Sequence, residues 1–233
     1  ETGTGRFYFL LYDMKNAVRK NWLKMVVVVL PVCFVICAGV HRETSFLREN
    51  GTISSQAGFW NYMADAYTGL EEYFPTSGLQ FEIPAIWLLL TLYVPFIAAN
   101  YAYHEMHNDM GLQVLIRMKK RTGWIIGKVA YCLTCVLLFH VIVWLGIFLF
   151  SIIENDSLSS SKEIYSAVLG LNMAYLPSQS YFYFSLTALP MIMSLFLTVS
   201  QMILSLILKP VWAYLFIVVY VIASVYFRVP FLI

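Results

Sequence analysis

Five long apolar stretches decide what this chain can fold into. Trp22 to Val40, Pro84 to Tyr103, Trp124 to Ile153, Ser185 to Leu208 and Val211 to Phe227 hold no Lys, Arg, Asp or Glu other than Lys24 and Lys128, each near the start of its run. A helix crosses the hydrocarbon core, about 30 Å thick, in about 20 residues. Backbone groups in lipid must pair within their own segment, so the runs read as membrane-spanning α-helices. Composition agrees. The chain is 60% hydrophobic and 12% charged, roughly half the charge of a soluble domain. The expected fold is all-α and polytopic, with five visible spans. The fifth run is short and is followed by Arg228, Pro230 and the apolar Phe231-Leu232-Ile233, so a sixth span is expected beyond Ile233.

Charge placement sets the expected orientation. Arg6, Lys15, Arg19, Lys20 and Lys24 precede or open the first span. Arg117, Lys119, Lys120, Arg121 and Lys128 cluster between the second and third, and Lys209 separates the fourth from the fifth. The other side holds only Arg42, Arg48, Lys162 and Arg228, among acids running from Glu43 to Glu163. By the positive-inside rule the basic side faces the cytoplasm, which gives a multi-pass protein of the cell membrane with a cytoplasmic N-terminus. Lys128 is expected to snorkel toward that side.

Outside the spans, three segments carry helical patterns. In residues 1–21, Phe7, Leu10, Leu11, Met14 and Val18 form one apolar stripe, which predicts an amphipathic helix on the inner leaflet before the chain turns into the first span. The external loop 41–83 carries Trp60, Met63, Tyr67, Leu70 and Phe74 at helical spacing. The second, 154–184, offers a capping box at Ser160 and Glu163 ahead of Ile164, Val168, Leu171 and Tyr175. Short helices resting on the bilayer or on each other are expected in both, with Tyr181 to Phe184 as an outer aromatic belt.

Catalytic chemistry finds little to work with. Gly123 to Val129 contains a Gly-Lys pair, but its spacing is not that of a P-loop, and Val129 stands where a hydroxyl is needed. His104-Glu105-Met106-His107-Asn108 fails the HExxH pattern, which needs its second His at position 108. Cys132 and Cys135 form a CxxC inside an apolar run with no second pair beside it, so they read as helix-packing side chains rather than metal ligands. No catalytic, metal or cofactor site is expected. His140 and Gln201 are the intramembrane polar groups that invite a functional reading, against a simpler one in which each hydrogen-bonds a neighbouring helix. The spans carry no carboxylate of the kind that gradient-driven carriers use.

The run Asn108-Asp109-Met110-Gly111-Leu112-Gln113-Val114-Leu115-Ile116-Arg117-Met118-Lys119-Lys120-Arg121-Thr122-Gly123-Trp124-Ile125-Ile126-Gly127-Lys128 resembles the cytoplasmic loop between the second and third spans of type-2 ATP-binding-cassette (ABC) exporter permeases of bacteria. The resemblance implies a six-span permease subunit that pairs with a second copy or a paralogue and sits on a separate cytoplasmic ATPase. ATP is then bound by that partner, with no nucleic acid involved. It also implies a coupling loop over 104–123, with Glu105, Asp109, Gln113, Leu115, Arg117, Lys120 and Arg121 contacting the ATPase. The implied substrate is an exported amphipathic peptide, antibiotic or lipid-like molecule. The long first external loop departs from the family pattern and leaves a second reading open: a non-transporting accessory, immunity or sensory protein.

Overall fold

The computed structural model describes residues 2–67, 85–107, 121–154, 156, 158–168 and 179–227. Eight α-helices make up this part: α1 (Thr2–Glu49), α2 (Phe59–Tyr67), α3 (Ala85–Ala98), α4 (Asn100–His107), α5 (Arg121–Ile153), α6 (Lys162–Ala167), α7 (Gln179–Ile207) and α8 (Pro210–Phe227). Four helical stretches, Leu10–Glu49, Ala85–His107, Thr122–Ile153 and Ser180–Ile207, are long and apolar enough to cross a bilayer. The apolar part of α8, Pro210–Ser224, is shorter than a full crossing. Large apolar side chains such as Val35, Ile192, Phe196, Ile203, Trp212 and Phe216 stand exposed, a surface suited to lipid rather than water.

The expected turn before Trp22 is absent. Helix α1 runs unbroken for 48 residues, about 72 Å at about 1.5 Å per residue, more than twice the hydrocarbon thickness. The reason lies in which face it buries. Asp13, Ala17, Asn21, Met25, Val29, Cys33 and Cys37 are all buried, one every fourth residue, and Val40 and Thr44 carry the seam on. That row is an i±4 ridge, and it packs chiefly along α5. Leu11, Met14 and Val18 of the expected stripe are exposed instead. The two helices approach closely at Gly146, where an added Cβ would lie 3.0 Å from Leu30 Cδ2 and 3.2 Å from Cys33 Cβ.

The second expected span, 84–103, is realised as two helices. Pro95 removes one helical hydrogen bond from α3, and the chain breaks at Ala99 before α4 begins. On α7, the small and hydroxyl residues Ser194, Thr198 and Ser205 look suited to contact with a second subunit, yet all three are buried within this chain. Thr198 donates to the Ser194 carbonyl at 2.6 Å and Ser205 to that of Met202 at 2.7 Å, with Ala99 O 3.5 Å away. The close helix approach that these residues permit is used inside the protomer, against α3, α4 and α5.

Candidate functional site

Three places gather the polar side chains. The first lies at the basic end of the bundle, where α1, α4 and α5 meet. Lys128 is buried, not snorkelling. Its Nζ lies 3.0 and 2.9 Å from the two carboxylate oxygens of the fully buried Asp13, and it also pairs with Glu105. The Tyr101 hydroxyl donates to Asp13 at 3.0 Å, and the Tyr101 ring lies 4.6 Å beneath the Lys128 ammonium and 4.0 Å from Tyr131, nearly parallel to it. One helical turn inward, Asn21 Nδ2 donates to Tyr131 Oη at 2.7 Å and reaches Cys135 Sγ at 3.3 Å. A lysine too deep to reach water is tolerable only with this neutralisation and with donors for the remaining lone pairs.

Of the residues expected in the coupling loop, Glu105 therefore turns into the bundle against Lys128. Arg121 opens α5. Asp109, Gln113, Leu115, Arg117 and Lys120 lie outside the described residues. The cysteines of the CxxC are free and buried, Cys135 beside Asn21 and Cys132 3.7 Å from Met202 Sδ. Among the described residues, no three His, Cys, Asp or Glu side chains group to hold a metal. His107 stacks on Tyr103 and bonds its carbonyl at 3.0 Å.

The second place is the opposite end, where the segments after α1 and after α5 interlock. Glu163 accepts from the amide and hydroxyl of both Ser54 and Ser55, with the Ser55 hydroxyl at 2.7 Å. Those donors, the Ser55 hydroxyl first, hold its carboxyl below the usual carboxylate range. The expected capping box is not formed. Glu163 is committed to the serines, Ser160 Oγ pairs with Tyr183 Oη at 2.6 Å, and Ser161 stands at the N-cap of α6 without a side-chain bond. Asn61 bonds the Ser161 carbonyl and amide at 3.1 and 3.2 Å. Asp156 accepts from Gln56 at 2.8 Å and from Tyr62, with His41 Nδ1 3.5 Å away. Burial, then the bond to Asp156, pushes the Tyr62 phenol well up. Trp60 stacks on Tyr183 at 4.0 Å. The two loops thus rest on each other. Leu70, Phe74, Leu171 and Tyr175 of the expected loop helices lie outside the described residues.

The third place is a cavity of about 460 Å³ between α2, α3, α5 and α7. His140, 1% exposed, stands on its wall. Its Nδ1 bonds the Val136 carbonyl at 2.9 Å, one turn back on the same helix, and not a neighbouring helix as the simpler reading had it. Gln201 is fully buried, and neither its amide oxygen nor its amide nitrogen has a hydrogen-bond partner among the described residues.

Residues 32–233 match the family described as "Protein of unknown function (DUF2705)". The chain belongs to that family. No curated protein and no solved structure matches it. The family match takes in Glu105, Lys128, His140, Gln201 and both interlocking loops. Asp13 and Asn21 lie ahead of it.

Proposed function

We propose that this chain is the membrane-spanning permease subunit of an ATP-driven transporter, exporting an amphipathic peptide, antibiotic or lipid-like substrate. ATP is hydrolysed in a separate cytoplasmic subunit that docks on segment 104–123, and the permease pairs with a second copy or a paralogue in the cell membrane. What supports the reading most is where the helices that flank that segment are fastened. The segment joins α4 to α5, and Glu105 on α4 and Lys128 on α5 both belong to the buried cluster that includes Asp13 on α1. A push on the segment would act on three helices together through groups that separate only at high cost.

The decisive experiment is co-purification of an ATPase with the chain in mild detergent, comparing parent with Gln113→Ala/Leu115→Ala at equal expression. Removing a well-packed Leu contact costs about 2–5 kcal/mol, so docking should weaken by an order of magnitude or more. An unchanged yield of ATPase and unchanged substrate-stimulated hydrolysis would reduce the segment to a topogenic basic patch. Orientation is read separately. Cysteines placed at the exposed Thr52 and Leu158 should react with an impermeant thiol reagent in intact cells, and labelling only after permeabilisation reverses the topology.

One observation favours the second reading, a non-transporting accessory, immunity or sensory protein: the loops interlock through charged and aromatic side chains into a shaped surface. A chain that binds an external ligand with no ATPase attached would fit that reading and not the first.

A further inference from the structure

We infer that the cavity between α2, α3, α5 and α7 is a binding site for an uncharged apolar molecule that offers a hydroxyl or N–H donor to His140. At about 460 Å³ the space lies within the range of small-molecule sites. Trp87, Leu90, Phe139, Phe182, Leu186 and Met193 give it apolar walls, and among the described residues no Lys, Arg, Asp or Glu lines it.

The polarity of the ligand follows from the imidazole. A carbonyl oxygen can only accept, so the bond to Val136 fixes the ring hydrogen on Nδ1. In the neutral ring Nε2 is then a bare lone pair. It is fully buried, with no hydrogen-bond partner among the described residues. Beside it, the Tyr67 ring stands parallel at 6.0 Å and 12°, and its hydroxyl is likewise buried and unpaired among the described residues. Both residues line the cavity, and between them they carry one obligate acceptor and one hydroxyl that can donate or accept. Leaving such groups unpaired is costly, and a ligand that pairs them gains what an isosteric hydrocarbon cannot. A carboxylate or phosphate would set its own lone pairs against Nε2, with no cation among the described lining residues to offset the lost hydration. A medium-chain alcohol or an apolar amide fits both demands.

The site stands apart from the transport reading, because binding can be measured with no ATPase present. The full chain in detergent is exposed to a dodecanol carrying a photoactivatable diazirine on its chain, and to the matched dodecanoate and matched hydrocarbon. Dodecanol should label α7 between Phe182 and Met193 about tenfold or more above the other two, the selectivity expected of one buried hydrogen bond. His140→Phe should bring the alcohol down to the hydrocarbon's level. Equal labelling by all three probes, or alcohol labelling untouched by His140→Phe, overturns the proposal. In the unaltered protein, the ¹⁵N resonance of His140 Nε2 should move on adding dodecanol and stay put with dodecanoate. A resonance that ignores dodecanol overturns the proposal whether or not the variant folds.

Discussion

The two ends of the bundle solve the same problem with different physics. Each is fastened by a carboxylate that joins segments far apart in sequence. At the basic end the carboxylate is Asp13, sealed from solvent with a lysine that is sealed as well. At the loop end it is Glu163, exposed and bonded by serine hydroxyls and amides. In a low dielectric an ion pair is strong, but each partner becomes a liability once the other is gone. In water a carboxylate with four donors exchanges them for solvent at little loss. The basic end should therefore behave as a rigid joint and the loop end as one that opens readily.

The largest test of this contrast is Asp13→Ala. It takes from the Lys128 ammonium the carboxylate it contacts through both oxygens, leaving Glu105 as the other carboxylate paired with it among the described residues, and should cost about 3–5 kcal/mol, read as a drop in melting temperature in detergent. Asp13→Leu with Lys128→Met should recover most of that loss. A double variant as unstable as the single would mean that the charges are not what fastens this end.

Between the ends, the α1–α5 seam supplies the next effect. Gly146→Leu forces side-chain atoms into space already held by Leu30 and Cys33 and should destabilise by about 1–3 kcal/mol or more. Gly39 is the control, since a Cβ there meets nothing within 4 Å. Gly39→Ala should be neutral or stabilising by up to about 1 kcal/mol.

At the loop end, Glu163→Gln should leave global melting near the parent's while hydrogen exchange at the Ser54 and Ser55 amides speeds up. The depressed Glu163 carboxyl contributes stability that is present above its unfolded pKa and lost as pH falls through the folded one. Acid should therefore mimic the substitution at those amides. A melting loss as large as that of Asp13→Ala would erase the contrast between the ends.

The smallest effect is expected at Asp65. Burial, then the nearby Glu43, pushes its carboxyl up to about 6. A raised carboxyl binds its proton more tightly in the folded state, so its contribution to stability weakens as pH rises from about 4 toward 6. The residue still keeps more than a third of its surface in water, so its desolvation is partial and solvent screening keeps the change small. Asp65→Asn should flatten that part of the pH profile, and an unaltered slope would place the titration elsewhere.

The four long apolar helices were legible because the bilayer sets their length, and length survives any packing arrangement. The orientation of their faces was not. Counting apolar residues on α1 picks out Leu11, Met14 and Val18, which suit lipid, whereas the packed row holds Asp13, Ala17, Asn21 and Cys33. In lipid, apolar character no longer marks the inside, and small or polar residues at spacing four do so better. That signal lay in the sequence. The partnership of Asp13 with Lys128 did not, since nothing local links residues so far apart. His140 was legible as an intramembrane polar group, but the cavity beside it depends on four helices at once.

The seam between α1 and α5 also constrains the order in which the protein can be made. A chain leaves the ribosome N-terminus first, so α1 is complete while its main packing partner has yet to be synthesised. Until Lys128 emerges, Asp13 and Asn21 have no interhelical partners on α5, and the ridge of small residues faces either lipid or a holding factor. The loop, α3 and α4 are produced in the interval, and the entropy of closing over them is lost before the seam returns anything. Biogenesis would then have a vulnerable interval that begins with α1 and ends with α5. Variants that weaken the seam should show themselves first as nascent chains delivered to quality control.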